Sequence, residues 1–310
     1  MATTSSGSTK RGRGKSDKNL ALIATARDIL AEIHPASVRA VGYQLLRPYH
    51  LIPDMKRGSS KRVSEQLTWA REHEEIPWDW IVDEVRGAEG HPGWEDPEAF
   101  AAAAGAQYRR DRWLDQDCRV EVWSEKGTVR GTLWPILSQY GVQFRVMHGF
   151  GSATEVHGVA ELVSAPWAPP LIVLYVGDFD PSGLYMSEVD LPGRLTKYGA
   201  ALGQDLDLRR IALTTRDTEA LGRPFAFAAE EKRNDARYPW FVARYGAWCW
   251  ELDALKPTVL RARVEAEINA CITDRAAWER AERVQETERE SLVEMLTRWT
   301  DTLNSAAGGA

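Results

Sequence analysis

Three carboxylates have the type and spacing to do metal chemistry. Asp178 and Asp180 flank Phe179 in the run Gly177-Asp178-Phe179-Asp180-Pro181-Ser182-Gly183, and Glu125 lies about fifty residues earlier. Each acidic position follows a largely apolar stretch, Arg119 to Ser124 for Glu125 and Leu171 to Gly177 for the aspartates. Such stretches read as buried strands that deliver carboxylates into a loop, with Gly183 relaxing the backbone before the next helix. Carboxylate oxygens are hard ligands that suit Mg²⁺ or Mn²⁺, ions that keep water and substrate phosphate in their shell. A lone Asp-x-Asp is commonly a loop or helix cap. Glu125 at a second strand end is what favours a metal cluster here.

The elements that must position these residues alternate. Apolar strands at 119–124, 143–147, 171–176 and 210–213 are separated by amphipathic helices at 128–140, 152–163 and 183–198. Strands and helices alternating at this length predict a parallel sheet covered on both faces. In an open sheet of that kind, ligands gather at the carboxyl ends of the strands, where all three acids fall. Beyond it, a strand at 248–252 and charged helices to about 303 complete the chain. Glu251 and Asp253 are further acidic candidates, Asp253 being read first as the cap of a helix over 256–270.

The N-terminal part differs in charge. Residues 1–71 hold 13 Lys and Arg against 5 Asp and Glu, a surplus of +8, which leaves -14 for residues 72–310 out of the total of -6. A basic front end is what a phosphate-binding module needs. Residues 1–17 are almost without apolar side chains and read as a disordered basic tail. Helical spacing then runs from Leu20 to Pro35, from Ser37 as N-cap to Pro48, and from Ser59 or Ser60 onward. In the third helix Val63, Leu67 and Ala70 face a core, leaving Lys61, Arg62 and Gln66 outward as candidate nucleic-acid contacts. Three short helices with a basic third one suit a winged-helix-like module over 18–87, with Ile76 to Ile81 as the edge of a wing. A linker and connecting helix occupy 88–115, the αβ domain and its extension 116–275, and a C-terminal helix and tail 276–310.

Composition excludes several classes. The chain has 310 residues, enough for about two domains. No apolar run is long enough to span a membrane, and the N-terminus has no signal-type h-region, so a cytoplasmic protein is expected. Cys118, Cys249 and Cys271 are odd in number and lack CxxC spacing, which predicts buried thiols rather than disulfides or zinc ligands. There is no GxxxxGK[ST] phosphate loop for ATP hydrolysis.

Glu125 at one strand end followed by Asp178, Asp180 and Gly183 at another resembles the Toprim domain of topoisomerases, bacterial-type primases and certain nucleases. The Asp180-Pro181-Ser182-Gly183 segment is similar to the version in topoisomerase VI A subunits and the related meiotic double-strand-break proteins. That group joins a winged-helix domain to a Toprim domain in the same order, and a group of bacterial and phage proteins of this architecture resembles the chain over roughly residues 20–275. Phrases such as Ile76-Pro77-Trp78-Asp79 and Arg210-Ile211-Ala212-Leu213-Thr214 carry that wider likeness. The resemblance implies Asp178 and Asp180 as holders of Mg²⁺ (or Mn²⁺) and Glu125 as metal-linked general acid or base. It also implies Tyr43 as a nucleophile forming a phosphotyrosyl link, supported by Arg39 four residues before it. His148 to Ser152 matches the glycine turn of the group, although Ala153-Thr154 lacks the arginine expected after it. DNA as substrate, a homodimer, and a separate ATPase or other activating subunit follow from the same likeness. Two alternatives stand beside it: a Toprim nuclease that uses metal-activated water, and a non-catalytic DNA-binding subunit of a larger complex.

Overall fold

A computed structural model describes residues 15–82, 93–147 and 153–307. The chain divides into two compact units, residues 1–82 and 83–310. No helix among the described residues is long and apolar enough to cross a membrane.

The first unit is built on three helices. α1 (Asp17–Ile33) buries Leu22, Ile23, Ala26, Ile29, Leu30 and Ile33, one stripe at helical spacing. α1 includes Asp17, so the helix begins inside the segment expected to be tail. Ser37 caps α2 (Val38–Leu46) as expected, its Oγ accepting the Ala40 N–H at 3.0 Å. α3 (Arg57–Glu72) starts ahead of the two serines because Asp54 Oδ1 gathers both the Lys56 N–H and the Ser59 hydroxyl. Its Val63, Leu67 and Ala70 are buried. Gln66 does not point outward as the pattern suggested. It lies three residues after Val63 and four before Ala70, hence on the same face, and it is 7% exposed. The Trp78–Trp80 segment forms a 3₁₀ turn, after which β2 (Ile81–Val82) pairs in parallel with β1 (Ala36–Ser37). The described residues of this unit contain no antiparallel wing, and residues 83–92, where the rest of one would fall, lie outside the described part.

The second unit carries a four-stranded parallel sheet. β3 (Arg119–Ser124), β4 (Gln143–Val146), β5 (Leu171–Val176) and β6 (Leu206–Ala212) stand in the order β4-β3-β5-β6. Side chains alternate as strand geometry requires. Val120, Val122, Leu174 and Val176 enter one core, whereas Trp123, Val173 and Tyr175 enter another. The first core is shared with α5 (Thr128–Tyr140), with Leu184 of α7 (Pro181–Tyr185) and with α11 (Pro257–Cys271); the second with α6 (Ala153–Val163), Met186 and α8 (Leu191–Lys197). Covering on both faces is thus as expected. A π turn over Met186–Asp190 joins α7 to α8.

The rest of this unit departs in detail. α4 (Pro97–Gln107) ends well before 115, the expected end of the linker and connecting helix, and it packs along α12 (Arg275–Ala307). Along the chain, α9 (Thr215–Leu221), the two-residue strands β7 (Phe227–Ala228) and β8 (Trp248–Cys249), and α10 (Tyr238–Tyr245) come after β6 and before α11. The three cysteines are free and buried, as their spacing suggested.

Candidate carboxylate site

The strand order fixes where a ligand site belongs. From β3 the chain steps to β4 on one side, then crosses β3 to reach β5 and β6 on the other, so the direction of winding reverses between β3 and β5. A crevice opens at the carboxyl ends of two such strands. Glu125 follows β3 directly, and Asp178 follows β5 after Gly177.

The aspartate loop is held from both sides. Phe179 is 2% exposed, packed edge-on against Phe241, Tyr245 and Trp250. Its N–H and C=O exchange hydrogen bonds with Trp250 at 2.8 and 3.0 Å. With Phe179 anchored inward, alternation along extended backbone sends Asp178 and Asp180 to the other side. Asp180 then caps α7, its Oδ1 accepting the Gly183 N–H at 2.8 Å and the Ser182 hydroxyl at 3.1 Å. Gly183 has to be glycine: a Cβ there would sit 2.4 Å from the Asp178 carbonyl oxygen.

Two ammonium groups balance the acids. Lys126 Nζ lies 2.9 Å from Asp178 Oδ1 and 3.1 Å from Asp253 Oδ2, while Lys232 Nζ lies 3.0 Å from Asp180 Oδ2. Asp178 Oδ1 also accepts the Leu252 N–H at 2.8 Å. Asp253 therefore belongs to the site rather than to the cap of α11, whose N-cap is Lys256. Burial opposes the charge on Lys126, yet Asp178, Asp253 and Glu251 hold its pKa above that of an ordinary lysine. Asp180 is held below the usual aspartate value despite its burial, by Lys232 and the Gly183 N–H. Burial pushes the Asp178 carboxyl up against the pull of Lys126.

Glu125 stands apart from its neighbours. Burial, then the charges of Asp180 and Asp178, raise its pKa above that of an ordinary glutamate. Its carboxylate forms no hydrogen bond or ion pair among the described residues. Glu121, four positions earlier and inside β3, shows the contrast. It is gripped by Arg145 through two bonds of 3.0 Å and by the Trp123 indole at 2.6 Å, the pattern of a structural acid.

The donor set of Glu125, Asp178 and Asp180 is oxygen only and fits a hard divalent cation. Among the described residues, no three His, Cys, Asp or Glu side chains converge closely enough to hold one as they stand. Asp178 and Asp180 are engaged by lysines.

Arg210 is a site residue that the carboxylate pattern does not reveal. Its guanidinium donates to the carbonyls of Gly177 (2.9 Å), Asp178 (2.5 Å), Gly183 (3.0 Å) and Leu213 (2.8 Å), and to the Ser187 hydroxyl at 2.8 Å. It clamps the backbone that presents both aspartates. Its sequence signal is its position, a charged residue at the start of the apolar run Ile211-Ala212-Leu213, although Asp207 and Arg209 in the same strand share that polarity. Lys126, next to Glu125, carries a weaker signal, and Lys232 none.

The other candidates lie in the first unit or outside the described residues. Arg39 and Tyr43 are on α2 at the expected spacing; Tyr43 is 3% exposed and Arg39 half-buried. Arg39 lines a cavity of about 610 Å³ with Arg57, Lys61, Ser60 and Ser64. Lys61 is exposed and within 3.8 Å of Glu65, whereas Arg62 donates twice to Asn19. Gln66 accepts a hydrogen bond from Lys15. His148 to Ser152 lies outside the described residues.

A second cavity, about 450 Å³, opens at the amino ends of β3 and β5 beside Arg112, Arg119, Tyr140 and Trp167. Its arginines have structural partners: Arg112 donates to the Gln139 carbonyl and pairs with Glu282, and Arg119 pairs with Asp111. Set against known proteins, the chain matches no protein-family model, no curated protein and no solved structure.

Proposed function

We propose that the chain is a divalent-metal-dependent protein that binds DNA and cleaves its phosphodiester bonds, with Glu125, Asp178 and Asp180 holding Mg²⁺ or Mn²⁺. One observation carries this reading. At the switch point of the parallel sheet an acid without a partner among the described residues, Glu125, shares an electrostatic environment with two aspartates. A bound cation supplies charge stabilisation at the phosphate and activation of water. The chain's own residues do the rest: Arg210 fixes the aspartate backbone, and Glu125, with its raised pKa, is suited to exchanging a proton at the reacting oxygen. The family resemblance supplies DNA as substrate, and the basic first unit supplies charge to hold it.

Two nucleophiles are open to such a site. The winged-helix and Toprim resemblance assigns the attack to Tyr43, with Arg39 stabilising charge. The burial of Tyr43 favours the second reading, a Toprim nuclease in which water attacks, because a tyrosine must be uncovered to reach a phosphodiester. Incubation of supercoiled DNA with the protein and Mg²⁺ or Mn²⁺, followed by denaturation with and without protease, separates them. The water reading predicts free DNA ends and unchanged cleavage by Tyr43→Phe; a protease-sensitive shift abolished in that variant overturns it in favour of the tyrosine. Unchanged DNA-dependent activity in an Asp178→Ala, Asp180→Ala double variant would remove both and leave a DNA-binding subunit. The resemblance further implies a homodimer and a separate activating subunit, the former tested by sedimentation across a range of concentrations.

A further inference from the structure

Lys126 has an unusual position for a lysine beside a proposed cation site. Its ammonium bridges Asp178 and Asp253 at 2.9 and 3.1 Å, and its side chain is 30% exposed, so it is a fixed partner rather than a surface charge passing nearby. Asp178 Oδ1 is shared between this ammonium and the Leu252 N–H. Asp180 is equally occupied, with Lys232 on Oδ2 and two donors on Oδ1. Five carboxylates, those of Glu125, Asp178, Asp180, Glu251 and Asp253, act on these two ammonium groups or on one another. With all five ionised, the two lysines leave that set with a formal charge of -3. It attracts a divalent cation, but the cation has to approach oxygens that already hold positive charge.

We propose that Lys126 is a built-in competitor of the divalent cation for Asp178, and that it sets how tightly the site takes Mg²⁺ or Mn²⁺. Two cations drawn to one carboxylate repel each other, and inside a partly buried site that repulsion is weakly screened. Asp253 has a definite part in the device: it is the second anchor that keeps the ammonium in place. The site is then held together in the absence of metal by Lys126, and it exchanges that link when a cation is bound. This inference rests on the metal reading of the site and concerns its regulation.

The test measures binding rather than cleavage. Calorimetric titration with Mn²⁺ compares the full-length protein with Lys126→Met, a variant of similar reach that keeps the apolar stem. Affinity is expected to rise about tenfold when the competing charge is removed. Unchanged or weaker binding by the variant, with the parent protein binding Mn²⁺, overturns the inference and leaves the metal reading intact. Absence of Mn²⁺ binding by either protein at millimolar concentration overturns both. A measurement on the unaltered protein guards against a misfolded variant. In protein labelled with ¹⁵N-lysine, the Nζ signal of Lys126, identified by its absence in Lys126→Arg, is expected to move or vanish as Mg²⁺ saturates the site. A signal that stays fixed through saturation overturns the competition.

Discussion

Glu125 is the residue whose ionisation most directly reports on the site. A carboxyl with a folded-state pKa above its unfolded value binds its proton more tightly when folded. Its contribution to stability is complete below the ordinary glutamate value and disappears as pH rises through the raised one. Without metal, therefore, ionised Glu125 beside Asp178 and Asp180 weakens the fold at neutral pH. Glu125→Gln removes that repulsion. The variant is expected to match the parent in melting temperature near pH 4 and to exceed it by on the order of 2 °C at pH 7, read by thermal unfolding in the presence of a chelator. A lower melting temperature at pH 7 would mean that the carboxylate has a stabilising partner.

Elements present these residues through ties that join distant segments. α9 is held to α11 by Arg263, whose guanidinium grips Asp217 at 2.6 and 2.7 Å while Asp217 also closes a capping box with Thr214. Burial favours the neutral acid, but Arg263 and Thr214 hold Asp217 below the usual aspartate value. A lowered pKa gives stability that is present above the unfolded value and is lost as pH falls through the folded one. Asp217→Asn is expected to cost about 2–4 kcal/mol in urea unfolding at pH 7, with the gap to the parent closing below the ordinary aspartate range. The sequence makes some of these elements plain and hides others. β3 and β5 match the expected strands residue for residue, because short apolar runs bounded by turn residues describe strands buried on both faces. β6 starts four residues before the expected 210, since Asp207 and Arg209 interrupt an edge strand with one open face. The acids were legible for the same reason as β3 and β5, standing where apolar runs stop. Their partners were not: Lys232 reaches Asp180 across 52 positions, and no local periodicity encodes such a pairing. Gln66 shows the opposite failure, where polarity suggested exposure and helical geometry placed it inside.

At the scale of the whole molecule, charge and packing divide the chain at nearly the same place. The core of Leu22, Ala26, Leu30, Val41, Leu45, Val63, Leu67 and Ile81 with its neighbours is contained within residues 1–82, and the two cores around the sheet draw only on later residues. A unit with a closed core of its own meets the main requirement for folding alone. Glu72, Glu74, Glu75 and Asp79 reduce the +8 of residues 1–71 to +4 for residues 1–82, which leaves -10 for residues 83–310. The isolated fragment 1–82 is expected to give a helical circular dichroism spectrum and a cooperative melt of a few kcal/mol, small because a domain of this size buries limited surface. It is also expected to bind duplex DNA with an affinity that falls steeply with salt, since phosphate neutralisation releases counterions, whereas fragment 93–310 at equal concentration binds weakly or not at all without divalent cation. Gel-shift titrations at two salt concentrations check this. Binding confined to the acidic fragment would place DNA recognition on the sheet unit and deprive α3 of the role that its exposed Lys61 suggests.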